Sequence, residues 1–204
     1  MSDNQMVCLL KNIDRFNVIL ASESPRRYEL LKMIGLDFDV QPSHLPEVHR
    51  DHLTPVAYAL DNARKKGWFI AEKAERSLVL SADTIVVLDE EILEKPVDAQ
   101  QAFTILQKLS GKTHQVITAF GMVIKELNRS VYDYEVTKVT FRNLSAREIR
   151  AYIDSGEPLD KAGAYGAQGH GALLIKSING CFYNVVGLPL AKFFNTLETF
   201  LLQL

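Results

Sequence analysis

Ile19-Leu20-Ala21-Ser22-Glu23-Ser24-Pro25-Arg26-Arg27-Tyr28-Glu29-Leu30-Leu31 reads as a strand, a turn and a helix in one run. Val18 to Ala21 is short and apolar, the pattern of a buried strand, and Ser22 to Ser24 supplies the turn. Ser24 is placed as an N-cap whose side-chain oxygen accepts an otherwise unpaired N–H, with Pro25 at the first helical position. Leu30, Leu31 and Ile34 fall on one helical face, and Gly35 is a suitable stop. Arg26 and Arg27 stand in the first turn, where cations oppose the positive end of the helix dipole at roughly 0.3–1 kcal/mol each. Either both are solvated and paired with Glu23 and Glu29, or an anion sits on the helix N-terminus. In the second case N–H groups, dipole and guanidinium forks all converge on that anion.

The rest of the chain alternates helical and strand patterns at first. Phe38 to Val40 reads as a strand, residues 43–53 as an exposed polar loop, and Thr54-Pro55 as a second capped helix start. Val56, Leu60, Ala63, Ile70 and Ala74 mark one face of that helix. Leu78-Val79-Leu80 and Ile85-Val86-Val87-Leu88 are strand-length apolar runs interrupted by Ser81-Ala82-Asp83-Thr84. Asp98 and Gln101 form a capping box for a helix through Leu109, and Ser145 and Glu148 another for a helix ending at Gly156. His114 to Ile124 and Tyr134 to Phe141 read as long strands. Ala172 to Ile178 reads as a strand turning at Asn179-Gly180 into a partner strand, Phe182 to Val186. Pro189 opens a terminal helix with Leu190, Phe193, Phe194, Leu197 and Leu201 on one face. This order predicts a mixed α/β sheet, strongly bent into two lobes and flanked by helices, with a ligand cleft between them.

Composition narrows the chemistry. With 204 residues, 47% apolar and 24% charged, the chain has globular composition and enough apolar side chains for a sizeable core. A net charge of −2 gives no general reason to expect binding to a nucleic-acid polymer. Cys8 and Cys181 lack framework spacing, which points to a reduced cytoplasmic protein. Residues 1–16 carry Asp3, Lys11, Asp14 and Arg15 and no apolar run long enough for a signal peptide or membrane span. They are expected to be a loosely attached leader to one two-lobed domain over residues 17–204.

Asp83 is the first chemical outlier. Between two apolar strand segments it is either a turn aspartate satisfied by backbone or a cleft-facing carboxylate that binds a divalent cation or activates water. Glu47, in the polar loop, is a candidate second carboxylate for the metal, beside the commoner fate of a solvated side chain. Residues 156–171 hold five glycines, with Lys161 as a mobile cation and Gln168 as an amide able to read a base edge. This is neither a Walker A loop, lacking Gly-Lys-Ser/Thr, nor the dinucleotide fingerprint. The five histidines show no metalloprotease spacing. Cations on several segments with two or three carboxylates point to a polyphosphate held with a metal.

Six segments in chain order resemble the Maf family of nucleoside triphosphate pyrophosphatases. They are Ser22 to Arg27, Ala82 to Val86, Glu94-Lys95-Pro96, Ser110 to His114, Ser155 to Gly169 and Asn184 to Leu190. The resemblance implies a two-lobed fold like that of inosine triphosphate pyrophosphatase and a homodimer. It implies hydrolysis of nucleoside triphosphates to monophosphate and diphosphate with a divalent cation (Mg, Mn or Co). By the resemblance Asp83 is the proton acceptor, and Asp83 and Glu47 hold the metal. Ser22, Arg27, Lys66, Lys95 and Lys161 contact phosphate, with Lys65 as the alternative to Lys66. Arg26, Thr84 and Gln168 govern substrate choice, and this trio looks like the branch acting on dTTP and UTP. Two alternatives stay open: a pyrophosphatase clearing modified nucleotides, and a nucleotide-binding regulator of septum formation.

Overall fold

The computed structural model describes residue 10, residues 12–46 and residues 52–204. Seven strands and six α-helices are assigned among these, besides short 3-10 turns. The strands are β1 (Asn17–Leu20), β2 (Asp39–Val40), β3 (Ser77–Leu88), β4 (Glu91–Leu93), β5 (Thr113–Ile124), β6 (Arg129–Phe141) and β7 (Ile175–Asn179). The helices are α1 (Pro25–Met33), α2 (Pro55–Ala71), α3 (Ala99–Leu109), α4 (Ala146–Asp154), α5 (Phe182–Val186) and α6 (Leu190–Leu202). One mixed sheet runs in the order β2-β1-β3-β5-β6-β7, with β4 paired to β3. β1 is parallel to both β2 and β3, whereas β4 and β7 pair antiparallel with β3 and β6. Parallel neighbours need a crossover of a dozen residues or more, which α1 and α2 supply.

The chain divides into two compact units. The first takes the described residues up to Asp83, together with Ala119–Tyr134 and Gly187–Leu204; the second takes Thr84–Thr118 and Glu135–Val186. In the first, Ile19 of β1 and Ala21 just after it pack with Val79, Val123 and, from α2, Ile70 and Ala71. Phe193 of α6 meets Phe120 of β5 edge to face at 5.6 Å, and both are buried. Burying a side chain of this size contributes about 1.5–3 kcal/mol. Leu10 and Ile13 are buried as well, and the Asn12 amide donates to the Leu201 carbonyl at 3.2 Å. In the second unit, Ile105, Leu106 and Leu109 of α3 and Ile149 and Tyr152 of α4 share a core with Val86, Val116, Val139 and Phe141. Gly163 has φ +67°, and a Cβ there would lie 2.8 Å from Val86, so both conformation and space demand glycine.

Local signals hold at most helix starts. Ser24 accepts from the Arg27 N–H, Thr54 from the Ala57 N–H and Asp98 from the Gln101 N–H. Ser145 and Glu148 make a full reciprocal box. The Gln101 side chain instead accepts from the Val97 N–H, one residue before the cap.

Three expectations are corrected. Residues 81–84 do not interrupt the strand; β3 runs unbroken, because Ser81 and Asp83 find partners that let polar groups stay buried. Residues 169–174 form a 3-10 turn, so the last strand starts at Ile175 rather than Ala172. Phe182–Val186 is a helix rather than a partner strand. Its β-branched and aromatic composition favours a strand, but the buried Asn184 amide donates to the Val116 carbonyl and Thr137 Oγ1 at 2.9 Å each, which holds the segment in place.

Candidate active site

In the first unit two groups of polar side chains gather at the carboxyl end of β1 and in the middle of β3. The parallel register pairs Leu20 with Leu80, and the Ala21 N–H donates to the Leu80 carbonyl at 2.7 Å. Ser22 follows two residues beyond the last paired position of β1, and Asp83 three residues beyond its partner on β3. The carboxyl ends of parallel strands are where open α/β sheets take ligands.

Ser22 is buried, and its Oγ accepts from the Ser24 N–H at 3.2 Å and from an Arg27 guanidinium nitrogen at 3.1 Å. Arg27 Nε donates to the Gly187 carbonyl at 2.9 Å. Arg27 is thus folded back across the start of α1, fixed in a fork that presents planar N–H donors. Arg26 stands beside it, half-buried, in a first turn that contains no acidic residue. Glu23 is exposed and pairs with His44.

Asp83 is the centre of the second group. Only 3% exposed, it accepts from Lys66 Nζ at 2.6 Å on one oxygen and from Asn62 Nδ2 at 3.1 Å on the other. Asn62 and Lys66 are four residues apart on α2, hence stacked on one helical face, and so can clamp a single carboxylate. A lone buried carboxylate would be costly; paired and hydrogen-bonded on both oxygens, it is tolerated as an ion. Lys65 points elsewhere, to Asp61 at 2.7 Å. Asn62 was not singled out from the sequence, although an amide four residues before a lysine, on a face otherwise made by Ala59, Ala63 and Ile70, is the signal that marks it.

Thr84, Lys95, Lys161 and Gln168 belong to the second unit. Thr84, next to Asp83 on β3 and half-buried, has its Oγ1 2.9 Å from Thr118 Oγ1. Lys95 is exposed just after β4. Lys161 Nζ donates to the Glu157 carbonyl and to the Asp160 carboxylate, at 2.5 Å each. Gln168 is exposed in the glycine-rich segment, immediately before the 3-10 turn over residues 169–174. That segment is braced from within. One Glu157 oxygen lies 3.0 Å from the His170 N–H and 2.7 Å from His170 Nδ1, and the other accepts from the Gly171 N–H at 3.3 Å. Tyr152 OH accepts from the Gly166 N–H at 3.2 Å. Burial pushes the Tyr152 hydroxyl up to about 12, so it stays protonated. Gly169, at φ +69°, leaves room for the brace, since a Cβ there would lie 2.7 Å from Glu157 Oε1. Glu157 and Tyr152 escaped the sequence reading because their partners are set by tertiary structure.

His114 is buried beside Phe141 and Tyr165, with Nε2 2.7 Å from Tyr165 OH, and desolvation lowers its pKa to about 4. It is a neutral core residue. Glu47 and Cys8 lie outside the described residues. Among the described residues, no group of three or more His, Cys, Asp or Glu is placed to hold a metal, and no helix is long and apolar enough to cross a membrane.

Known proteins are similar to this chain over most of its length. A dTTP/UTP pyrophosphatase of Bacillus pumilus is 48% identical over 183 residues, covering 90% of this chain and 96% of that protein. One of Ruminiclostridium cellulolyticum is 45% identical over 183 residues, covering 89% and 95% respectively. One of Caldicellulosiruptor saccharolyticus is 45% identical over 179 residues, covering 86% and 90%. The family model described as Maf-like protein matches residues 17–200, from β1 into α6. With a strand-end arginine fork and a clamped aspartate inside that matched span, the chain belongs to the Maf-like protein family.

Proposed function

We propose that this chain hydrolyses nucleoside triphosphates, dTTP and UTP foremost, to the nucleoside monophosphate and diphosphate. The observation that carries the reading is Asp83, a buried carboxylate seated between a lysine and an amide in the middle of a strand. The activity named for the relatives supports it. Water attacks the α-phosphorus as Asp83 accepts its proton, the bond from that phosphorus to the bridging oxygen breaks, and diphosphate departs. Ser22, Arg27 and Lys66 hold phosphate oxygens, as do Lys95 and Lys161. Arg26, Thr84 and Gln168 choose the nucleotide, the Gln168 amide offering both a donor and an acceptor to the carbonyl-imide edge of a pyrimidine.

Asp83, together with Glu47, would hold a divalent cation (Mg, Mn or Co). The donor chemistry fits, because magnesium is usually bound through one or two carboxylates plus substrate phosphates rather than by an all-protein cage. When bound, such an ion neutralises charge on the phosphates. We place the protein in the cytoplasm as a homodimer, a state that light scattering reads directly.

Diphosphate release across a nucleotide panel tests the reading. dTTP and UTP are expected to lead, and Asp83→Asn is expected to cut turnover by orders of magnitude with circular dichroism unchanged. Fastest hydrolysis of GTP, ITP or a methylated nucleotide would refute the substrate choice. Near-normal turnover by Asp83→Asn would remove the catalytic assignment.

A further inference from the structure

The two oxygens of Asp83 carry donors of different kinds. Lys66 Nζ donates to Oδ1 at 2.6 Å and Asn62 Nδ2 to Oδ2 at 3.1 Å. An ammonium is a point charge with three rotatable donors at the end of a flexible four-carbon stem, so it draws a carboxylate in without setting its plane. The Asn62 amide is planar, turns on two side-chain torsions and is only 7% exposed. A bond from it to the second oxygen fixes how the carboxylate is rolled. Lys66 also has a second duty in the proposed reaction, the holding of a phosphate oxygen. A cation serving phosphate is a poor guide to the orientation of Asp83, whereas a neutral amide is not drawn to phosphate in the same way.

The backbone holds Asn62 at the right height. Ala59, Ala63, Gly67 and Ala71 recur every fourth residue along α2, and all four are buried. This seam of small residues lets the helix lie close on the sheet. A Cβ at Gly67 would lie 2.8 Å from Ser81 Oγ of β3 and 3.3 Å from Val123 of β5, so the helix rests on Ser81 with no room to spare. Ser81 and Asp83 are two residues apart on an unbroken strand and therefore share a face. Asn62 and Lys66 each come one residue before a member of the seam, so they flank it on one side, and from there both reach Asp83. Rigid elements on both sides thus set the Asn62–Asp83 bond, with no loop involved.

We propose that Asn62 is a positioning residue for the proposed reaction: by holding one Asp83 oxygen it sets the plane in which the carboxylate meets the attacking water. This rests on the reading of Asp83 as the proton acceptor. Asn62 touches neither phosphate nor water in this scheme and acts only through Asp83. Its loss is therefore felt in the chemical step and not in the capture of the nucleotide.

The test measures kcat and KM for UTP in the full-length protein and in Asn62→Leu, which keeps the number of side-chain heavy atoms and removes the donor. Titration with α,β-imido-UTP, whose bridging nitrogen resists cleavage, counts the sites able to bind nucleotide, so that turnover is expressed per intact site. Turnover per site is expected to fall about tenfold to a hundredfold, the effect of misplacing a reacting group by on the order of 1 Å. KM and the dissociation constant of the imido analogue are expected to stay within about twofold. Turnover per site within about twofold of wild type overturns the proposal, including the case in which only the number of sites falls, as a merely structural amide would give. A parallel loss of analogue binding marks general damage to the site and overturns it as well. Should Asn62→Leu fail to fold, Asn62→Ala removes the donor without adding bulk and carries the same expectations. Near-normal turnover by Asp83→Asn, or no diphosphate released from UTP by the unmodified protein, defeats the underlying reading instead. That outcome is separate from an Asn62 variant that turns over normally beside an inactive Asp83→Asn.

Discussion

Lys66→Met is the most informative perturbation of this fold. Lys66 Nζ lies 2.6 Å from Asp83 Oδ1, with the two side chains 13% and 4% exposed. At that separation and an effective dielectric constant of about 20, the Coulomb attraction is about 6 kcal/mol, part of which desolvation of both ions takes back. Methionine fills the space of the stem but leaves the Asp83 charge buried with the Asn62 amide as its remaining clamp. Breaking a buried pair from one side costs about 3–5 kcal/mol. For a chain of this length that corresponds to a fall in Tm of about 6–20 °C. The assay is urea and thermal unfolding of Lys66→Met, Asp83→Asn and the double variant, with Lys65→Met as control. Lys65 faces Asp61 at 2.7 Å and is 40% exposed, so its loss is expected to cost about 0.3–0.5 kcal/mol. The double variant removes both charges, and a coupling energy of about 3 kcal/mol is expected. A coupling below about 0.5 kcal/mol would mean that the pair behaves like an exposed one, and the account of how Asp83 is tolerated in mid-strand would be wrong.

Further outcomes are expected elsewhere. Glu157→Gln replaces one of the two oxygens that tie His170 and Gly171, so the segment carrying Gln168 loosens. KM for UTP is expected to rise about threefold to tenfold with kcat nearly unchanged, as steady-state kinetics will show. His114 is held neutral, its pKa lowered by desolvation from 6.5 to about 4, so between those values the unfolded chain binds the extra proton and stability falls as pH falls. The loss from this residue is about 2.5 kcal/mol between pH 7.5 and 4.5. Unfolding curves for wild type and His114→Gln are expected to converge by that amount at low pH. Chelation with EDTA is expected to abolish diphosphate release, and magnesium, manganese or cobalt to restore it. Undiminished turnover in EDTA would remove the cation from the scheme.

Features set by neighbours in the chain were open to reading from sequence. Ser24 with Pro25, Thr54 with Pro55, and Ser145 with Glu148 specify helix starts through atoms three residues apart, and the folded chain uses all of them. Asp83 was conspicuous because a carboxylate amid valines and leucines needs a reason, and the ordered motifs from Ser22 to Leu190 carried the family. What escaped was set by contacts across long stretches of chain. The tetrad Ser81-Ala82-Asp83-Thr84 looks like a break until Gly121, Asn62, Lys66 and Thr118 are seen to satisfy it. Phe182–Val186 has the composition of a strand and folds as a helix, because Asn184 must reach Val116 and Thr137, 68 and 47 residues away. Sequence alone thus determined which residue types are available for phosphate and proton chemistry. Tertiary structure alone decided which lysine reaches Asp83 and which amide shares it. A hydrogen bond depends on ångström-scale placement of groups that the chain order leaves far apart.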